Sequence, residues 1–407
     1  MKRLAAFGLA LAACPAYGQI HGRFSVIGTG GFSSSNSLDA SLGYGDWAEL
    51  ATDLRLTWTS RRSNWDYQVH YDVLGDFGGG AILKRRRAKL LPIVSPPPLL
   101  DLTSHFSTAD GAQASGTIDR LAVGYTTPKL VVRLGRQALS WGGGQLFHPM
   151  DIVNPFPPDV VDAEYKPGVD MAFAQWLFAD GSDLQFVGVP RRSRIGGPVE
   201  AGASTAALHL SKGVGNLSTE WILAYDYGDW TAAARANGPW RGATWNFEAL
   251  ATGEKAGATK LSALANVEDA LTLFRRNATI FAELYRNGFG VGSRGRSYDS
   301  LPSDLARRLA RGQLFGLARD YFGFGGTLEC TPLETLTGSL IVNLDDGGLY
   351  LALQEDRSLS DESDLLFGLQ TPIARRGTEY GGLPTTGSGP PYDAVPATVF
   401  VQYRIHF

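Results

Sequence analysis

The last eleven residues, ATVFVQYRIHF, alternate strictly between two kinds of position. Val399, Val401, Tyr403, Ile405 and Phe407 fall on one side; Thr398, Phe400, Gln402, Arg404 and His406 fall on the other. A period of two is the signature of a strand with one apolar and one more polar face. The same alternation recurs along the chain. Trp65, Tyr67, Val69, Tyr71 and Val73 lie opposite Asp66, Gln68, His70 and Asp72. Leu54, Leu56 and Trp58 lie opposite Asp53, Arg55 and Thr57, and Ala243, Trp245 and Phe247 opposite Thr244, Asn246 and Glu248. The pattern predicts eighteen strands, near 22–33, 49–60, 64–75, 117–126, 129–138, 168–178, 182–190, 203–212, 216–226, 229–236, 241–250, 261–274, 278–287, 319–330, 333–343, 348–357, 361–371 and 396–407.

The connections carry the second signal. Links after even-numbered strands are short, such as RRSN, TPK, DGS and GVGN. Several links after odd-numbered strands are long: 34–48, 76–116, 139–167, 288–318 and 372–395. Short turns at one end and long loops at the other are the mark of a transmembrane β-barrel. The expected fold is therefore all-β: an antiparallel up-and-down barrel of about eighteen strands, within a range of sixteen to twenty. An even count puts both termini at the short-turn end. Closure pairs every backbone group, which lipid demands. A soluble sandwich or propeller would also give many short strands, but not mixed charge on one face and almost none on the other.

Composition agrees. The 407 residues include 50 Gly, 15 Tyr and 9 Trp but only 3 Met and 2 Cys. The net charge of -3 and the lack of a long basic block argue against nucleic acid. The amino terminus, MKRLAAFGLALAACPAYGQ, has a positive start at Lys2 and Arg3, an apolar stretch and a small-residue site ending at Gly18. This predicts a secretory signal peptide over 1–18 and one barrel domain over 19–407. Leu11–Cys14 also fits a lipobox; cleavage after Gly18 is preferred because Cys14-Pro15 sits well in an ordinary cleavage region. With Cys14 removed, Cys330 has no intrachain partner.

The ending VFVQYRIHF resembles the C-terminal assembly signal of Gram-negative outer-membrane proteins. The resemblance implies that Tyr403, Ile405 and Phe407 are read by the barrel-assembly machinery. It also implies an integral protein of the bacterial outer membrane, in contact with lipid and lipopolysaccharide; homo-oligomerisation stays open. The passage GRQALSWGGGQLFHPMDIVNP resembles a signature of porin-like families whose roles are largely uncharacterised.

The polar faces supply the candidate chemistry. Arg23, Asp53, Arg55, Asp66, Asp72, Arg120, Arg133, Glu220, Glu248 and Arg404 are expected to face the lumen, joined by Asp183, Asp226, Arg235, Glu283, Glu329 and Asp356. Carboxylates outnumber arginines there, which tilts such a pore toward cations. The plainer expectation is that these charges pair across neighbouring strands. Segment 134–170 stands apart, with a Gly triplet at 142–144 and prolines at 149, 155, 157, 158 and 167. Its Trp141, Leu146, Phe147 and Phe156 need cover. It is expected to fold into the barrel as the third loop does in general porins, with His148, Asp151, Asp159, Asp162, Glu164 and Lys166 lining a constriction. The alternative is an outer cap. Lys84, Arg85, Arg86, Arg87 and Lys89 form a basic cluster suited to lipopolysaccharide phosphates or to a solvated face. LPSDLARRLARG predicts a short helix capped by Ser303 and stopped by Gly312.

Enzyme readings find little. No histidine pair has metal spacing, no GxSxG occurs, and no CxxCH haem motif is present. No metal site and no cofactor are expected, and no catalytic role. The expected function is passive diffusion of small hydrophilic solutes with a weak cation preference. The alternative is a non-catalytic scaffold or export pore serving a partner, in polysaccharide export or as a sheath for an electron-transfer subunit.

Overall fold

The computed structural model describes residues 18–407 apart from 91–95, 110, 159–164, 256, 293–297, 299–300 and 387–388. The strands, in chain order, begin with β1 (Gln19–Phe32), β2 (Asp46–Arg62), β3 (Trp65–Gly78), β4 (Thr103–Ala109), β5 (Ala112–Thr126), β6 (Leu130–Gln137) and β7 (Val169–Leu177). They continue with β8 (Asp183–Val189), β9 (Thr205–Val214), β10 (Leu217–Asp226), β11 (Asp229–Trp240), β12 (Ala243–Gly253), β13 (Thr259–Leu273) and β14 (Arg276–Arg286). The last are β15 (Asp320–Thr331), β16 (Glu334–Asn343), β17 (Leu349–Ser360), β18 (Ser363–Ile373), β19 (Leu383–Thr386), β20 (Gly389–Asp393) and β21 (Ala397–His406). Every wall pairing is antiparallel, and β21 pairs with both β18 and β1, so the sheet closes. Leaving aside β4, β19 and β20, eighteen strands make the wall. Each of them matches one of the eighteen predicted segments.

The two faces of this wall differ as the alternation requires. Phe24, Leu50, Tyr67, Leu121, Leu223, Phe247, Phe324, Val401 and Tyr403 are exposed on the outside. Arg23, Arg55, Asp72, Glu248, Glu283 and Asn343 are buried on the inside. An apolar band of this extent suits acyl chains and is unfavourable against water.

The 76–116 connection departs from expectation. β3 runs on to Gly78 and β5 starts at Ala112, so the wall claims part of the predicted loop. Between them lie a helix, Gly79–Leu90, and β4, which adds to the upper edge of β5. The start of β5, AQASG, has no large apolar residue, so periodicity was silent there. Gly78 has φ +103, which lets the chain turn sharply from strand into helix. The basic residues sit on that helix and bind neighbouring mouth segments. Arg87 donates to Asp39 at 2.6 Å and also to Asp393, Arg86 donates to the Leu42 carbonyl at 2.9 Å, and Arg85 to the Ala109 carbonyl at 2.8 Å. Lys84 pairs with Glu49.

The closing ladder between β1 and β21 runs on to the chain's last residue. The Gly22 and Phe407 backbones exchange two hydrogen bonds, at 2.7 and 2.9 Å. A Cβ on Gly22 would lie 2.2 Å from the Phe407 ring, so the ring packs on a position that only glycine leaves open. Deleting Phe407, or replacing Gly22 by Val, is expected to cut the yield of heat-modifiable folded barrel while export continues. Wild-type surface levels of both variants would contradict this.

Candidate functional site in the barrel lumen

Segment 138–168 leaves the wall after Gln137 and turns inward. Its seat is two carboxylates on the inner wall. Glu248 of β12, 0% exposed, accepts the Gly143 N–H at 2.6 Å. Glu283 of β14, 1% exposed, accepts the N–H groups of Gln145, Leu146 and Phe147 at 2.6, 3.1 and 2.9 Å. Asn266 donates both to Glu283 and to the Gly143 carbonyl, at 3.0 Å each. Buried carboxylates are costly unless their lone pairs are filled; backbone amides serve both oxygens of Glu283 and one oxygen of Glu248.

The Gly triplet makes that approach possible. A Cβ on Gly143 would lie 2.2 Å from the Arg235 guanidinium, and one on Gly144 only 1.7 Å from the Phe147 carbonyl oxygen. The aromatic and aliphatic residues find their cover inside. Trp141 stacks on His209 at 5.1 Å and donates to Gln185 at 2.9 Å. Trp141, Met150 and Val153 pack against Val187, Ile222 and Leu250 of the wall, while Leu146 and Phe147 pack against Leu264, Tyr285 and Tyr321. Where the segment covers it, the inner face thus carries two apolar clusters beside the buried carboxylates.

The far end of the segment reaches the opposite wall. The Tyr165 ring lies under the guanidinium groups of Arg23 and Arg55, at 4.8 and 4.1 Å. Arg120 donates to the Lys166 carbonyl, and the Gly168 N–H donates to Asp119 at 2.9 Å. Lys166 forms a buried ion pair with Asp151 and donates to Ser140 at 3.0 Å. Asp151 and Lys166 are 5% and 7% exposed, so they face each other and not open water. Burial pushes the Asp151 carboxyl up and the Lys166 ammonium down, against their mutual attraction. His148 is partly buried, and that burial, with Lys166 nearby, lowers its imidazole. Asp159, Asp162 and Glu164 lie outside the described residues.

The other inner-wall charges are largely paired. Arg23 meets Asp53 at 2.8 Å, Arg133 meets Asp66 at 2.9 Å, and Arg404 meets Asp356 at 2.7 Å. Arg235 binds Glu220, which His209 contacts at 3.1 Å. Arg55 joins Asp72 at 2.6 Å and Asp119 at 3.2 Å. Asp119 escaped the sequence reading because it breaks the alternation. The register skips it between β3 and β5, so Asp119 and Arg120 are both buried. Arg136 and Asp170, paired at 2.9 Å where the segment leaves and re-enters the wall, were also missed.

Two further long loops converge on the segment. In 288–318, the helix Ser303–Ala310 begins one residue earlier than a Ser303 cap requires. Pro302 holds the cap position in extended geometry, with no side-chain cap bond, so Ser303 is helical. Gly312, at φ +66, does end the helix. The loop is tied down: Arg308 donates to Asp229 at 2.6 Å, Gln313 to Asp226 at 2.6 Å, and Lys260 pairs with Asp304 at 2.8 Å. In 372–395, the Glu379 carboxylate accepts from the Leu317 N–H, the Tyr321 hydroxyl and Asn343, at 2.7, 2.8 and 2.7 Å. Burial, with Asp346 alongside, pushes this carboxyl up to about 7.

Two outcomes follow from these contacts. Asp151→Asn leaves Lys166 buried without its counter-charge, a loss of about 3–5 kcal/mol in the seating of the segment. Faster limited proteolysis within 138–168 should report it, and the double variant Asp151→Leu, Lys166→Met should restore protection. Equal protection in the single variant and the wild type would refute it. The second outcome concerns Glu379, which faces Tyr321 of β15, Tyr298, Tyr380 and Asp346. Its folded-state carboxyl is raised from 4.5 to about 7, so its stabilising contribution is complete at acid pH and is lost as pH rises through about 7. Tryptic cleavage after Arg375 and Arg376, scaled to an unfolded reference peptide, should speed up from pH 6 to pH 8. Glu379→Gln should flatten that profile, and an equally steep profile in the variant would contradict the assignment.

No family model matches the chain, and no curated protein matches it in sequence. Solved structures do match in fold. Wzi of Escherichia coli, described as an outer-membrane protein involved in group 1 capsule assembly and a carbohydrate-binding β-barrel, aligns with a TM-score of 0.56 at 11% identity, over 99% of this chain and 87% of Wzi. OccAB3 of Acinetobacter baumannii gives 0.55 at 10% identity, over 96% of this chain and 99% of the other. OpdQ of Pseudomonas aeruginosa gives 0.54 at 10% identity, over 96% and 98%. The chain has the fold of the porin-like outer-membrane β-barrels.

Proposed function

We propose that the protein is an outer-membrane channel for small hydrophilic solutes, narrowed by the inward segment 138–168. One observation carries this reading: Glu248 and Glu283 hold the segment inside an eighteen-stranded wall. A barrel of that size leaves an aqueous lumen unless something fills it. The segment partly fills it, and what passes must pass beside the segment. The pairing of the inner-wall charges makes any cation preference weak. It would rest on Asp159, Asp162 and Glu164, the acids of the segment that lie outside the described residues. In this reading a signal peptide directs export, and the assembly machinery reads Tyr403, Ile405 and Phe407.

A second reading is a non-conducting barrel that presents a binding surface, as the description of Wzi suggests. The two apolar clusters between the segment and the wall favour it, because they seal part of the lumen. Planar-bilayer recordings separate the two. The channel reading expects steady conductance from the wild type, larger conductance on deleting 143–163, and weaker cation preference in Asp159→Asn, Asp162→Asn. A folded wild-type barrel without conductance would favour the second reading. A folded deletion variant with unchanged conductance would place the narrow point elsewhere.

A further inference from the structure

Where the three loops meet, the structure holds a cavity of about 360 Å³. Phe147 of the inward segment, Tyr321 and Tyr350 of the wall, and Tyr380 of the 372–395 loop give it an aromatic lining. The rings are grouped closely: Tyr350 and Tyr380 have centroids 5.7 Å apart, and Phe147 and Tyr321 5.2 Å apart. Phe315, 39% exposed, lies at the lip and marks a way in. The volume falls within the usual range for small-molecule pockets, which are mostly apolar with a few placed polar groups.

The charged groups in the lining all have one sign. They are Glu379 and Asp393; no Lys, Arg or His lines the cavity among the described residues. Arg87 pairs with Asp393, but Arg87 also serves Asp39. Asp346 stands next to Glu379, accepting its backbone N–H at 2.9 Å. The carboxylates therefore outnumber the cation that serves them. The Tyr321 hydroxyl is already committed, donating to Glu379 and accepting from the Ala318 N–H at 2.6 Å. Anions are repelled by such a lining. A sugar, which offers acceptors as well as donors, finds few donors to meet. Ring faces beside carboxylates instead favour a cation with an apolar surface.

From this lining we infer that the cavity is a binding site for a small organic cation of the alkylammonium or quaternary ammonium class. The rings hold the cation by cation–π attraction, and Asp393, joined by Glu379 when that carboxyl is deprotonated, supplies the opposite charge. The site goes beyond the channel reading and does not require conduction. Binding is measured on the purified barrel in detergent, so a failure of conductance and a failure of binding are separate results.

The test is calorimetric titration of the purified barrel with tetraethylammonium, with glucose as the neutral control. Wild type is expected to bind tetraethylammonium saturably and glucose not at all. Removing one ring with Tyr380→Leu should weaken binding about tenfold, within the range of a desolvated cation–π contact. Heat-modifiability should be unchanged. Should Tyr380→Leu fail to fold, Phe315→Leu at the exposed lip should give a weakening in the same direction. Absence of saturable tetraethylammonium binding, equal affinity in the wild type and the folded ring variant, or glucose binding of similar strength would each overturn the inference.

Discussion

Two carboxylates on the inner wall, Glu248 and Glu283, receive four backbone N–H groups from one inward segment. Much of the interior depends on this interaction. Neither carboxylate could remain buried and charged without such donors, and inside the barrel the donors need these acceptors because they are removed from water. Hydrogen bonds to a charged group contribute about 1.5–3 kcal/mol each, and leaving the charge unpaired costs more. The wall and the segment therefore hold each other in place. The Gly triplet permits the contact because side chains at 143 and 144 would collide with Arg235 and with the Phe147 carbonyl.

The seat organises what lies around it. Phe147, placed by Glu283, stacks against Tyr285 at 4.6 Å and packs near Tyr321. Tyr321 binds Glu379, and Glu379 binds Leu317, so the 288–318 and 372–395 loops are linked through the same wall position. At the other end, Tyr165 rests on the arginines of β1 and β2, close to where β21 closes the sheet. The segment thus bridges opposite walls of one closed barrel.

The wall was legible in the sequence because lipid imposes the alternation on every strand. All eighteen wall strands were visible as period-two segments, and the terminal Phe407 sits in the closing pair. The inward course of the described residues of 139–167 was legible too, from glycines that allow a tight approach and from apolar residues in need of cover. Its partners were not. Glu248 and Glu283 looked like ordinary lumen charges, because nothing local marks a carboxylate that will bind a distant backbone. Asp119 was hidden by a bulge, which shifts the two-residue period without leaving a trace in composition. The helix Gly79–Leu90 carries its basic residues around its surface and lacks a clear apolar stripe, so it read as a charged loop. Its cations serve carboxylates and carbonyls of other mouth loops, and those pairings are fixed only by the fold.

Hydrogen exchange at single amides tests the central claim most directly. In the intact barrel, the N–H groups of Gly143, Gln145, Leu146 and Phe147 should be protected to a degree approaching that of the wall strands. Glu283→Ala should abolish protection at residues 145–147 while leaving the wall strands protected. Wild-type exchange at these four amides as fast as in an open loop would contradict the account.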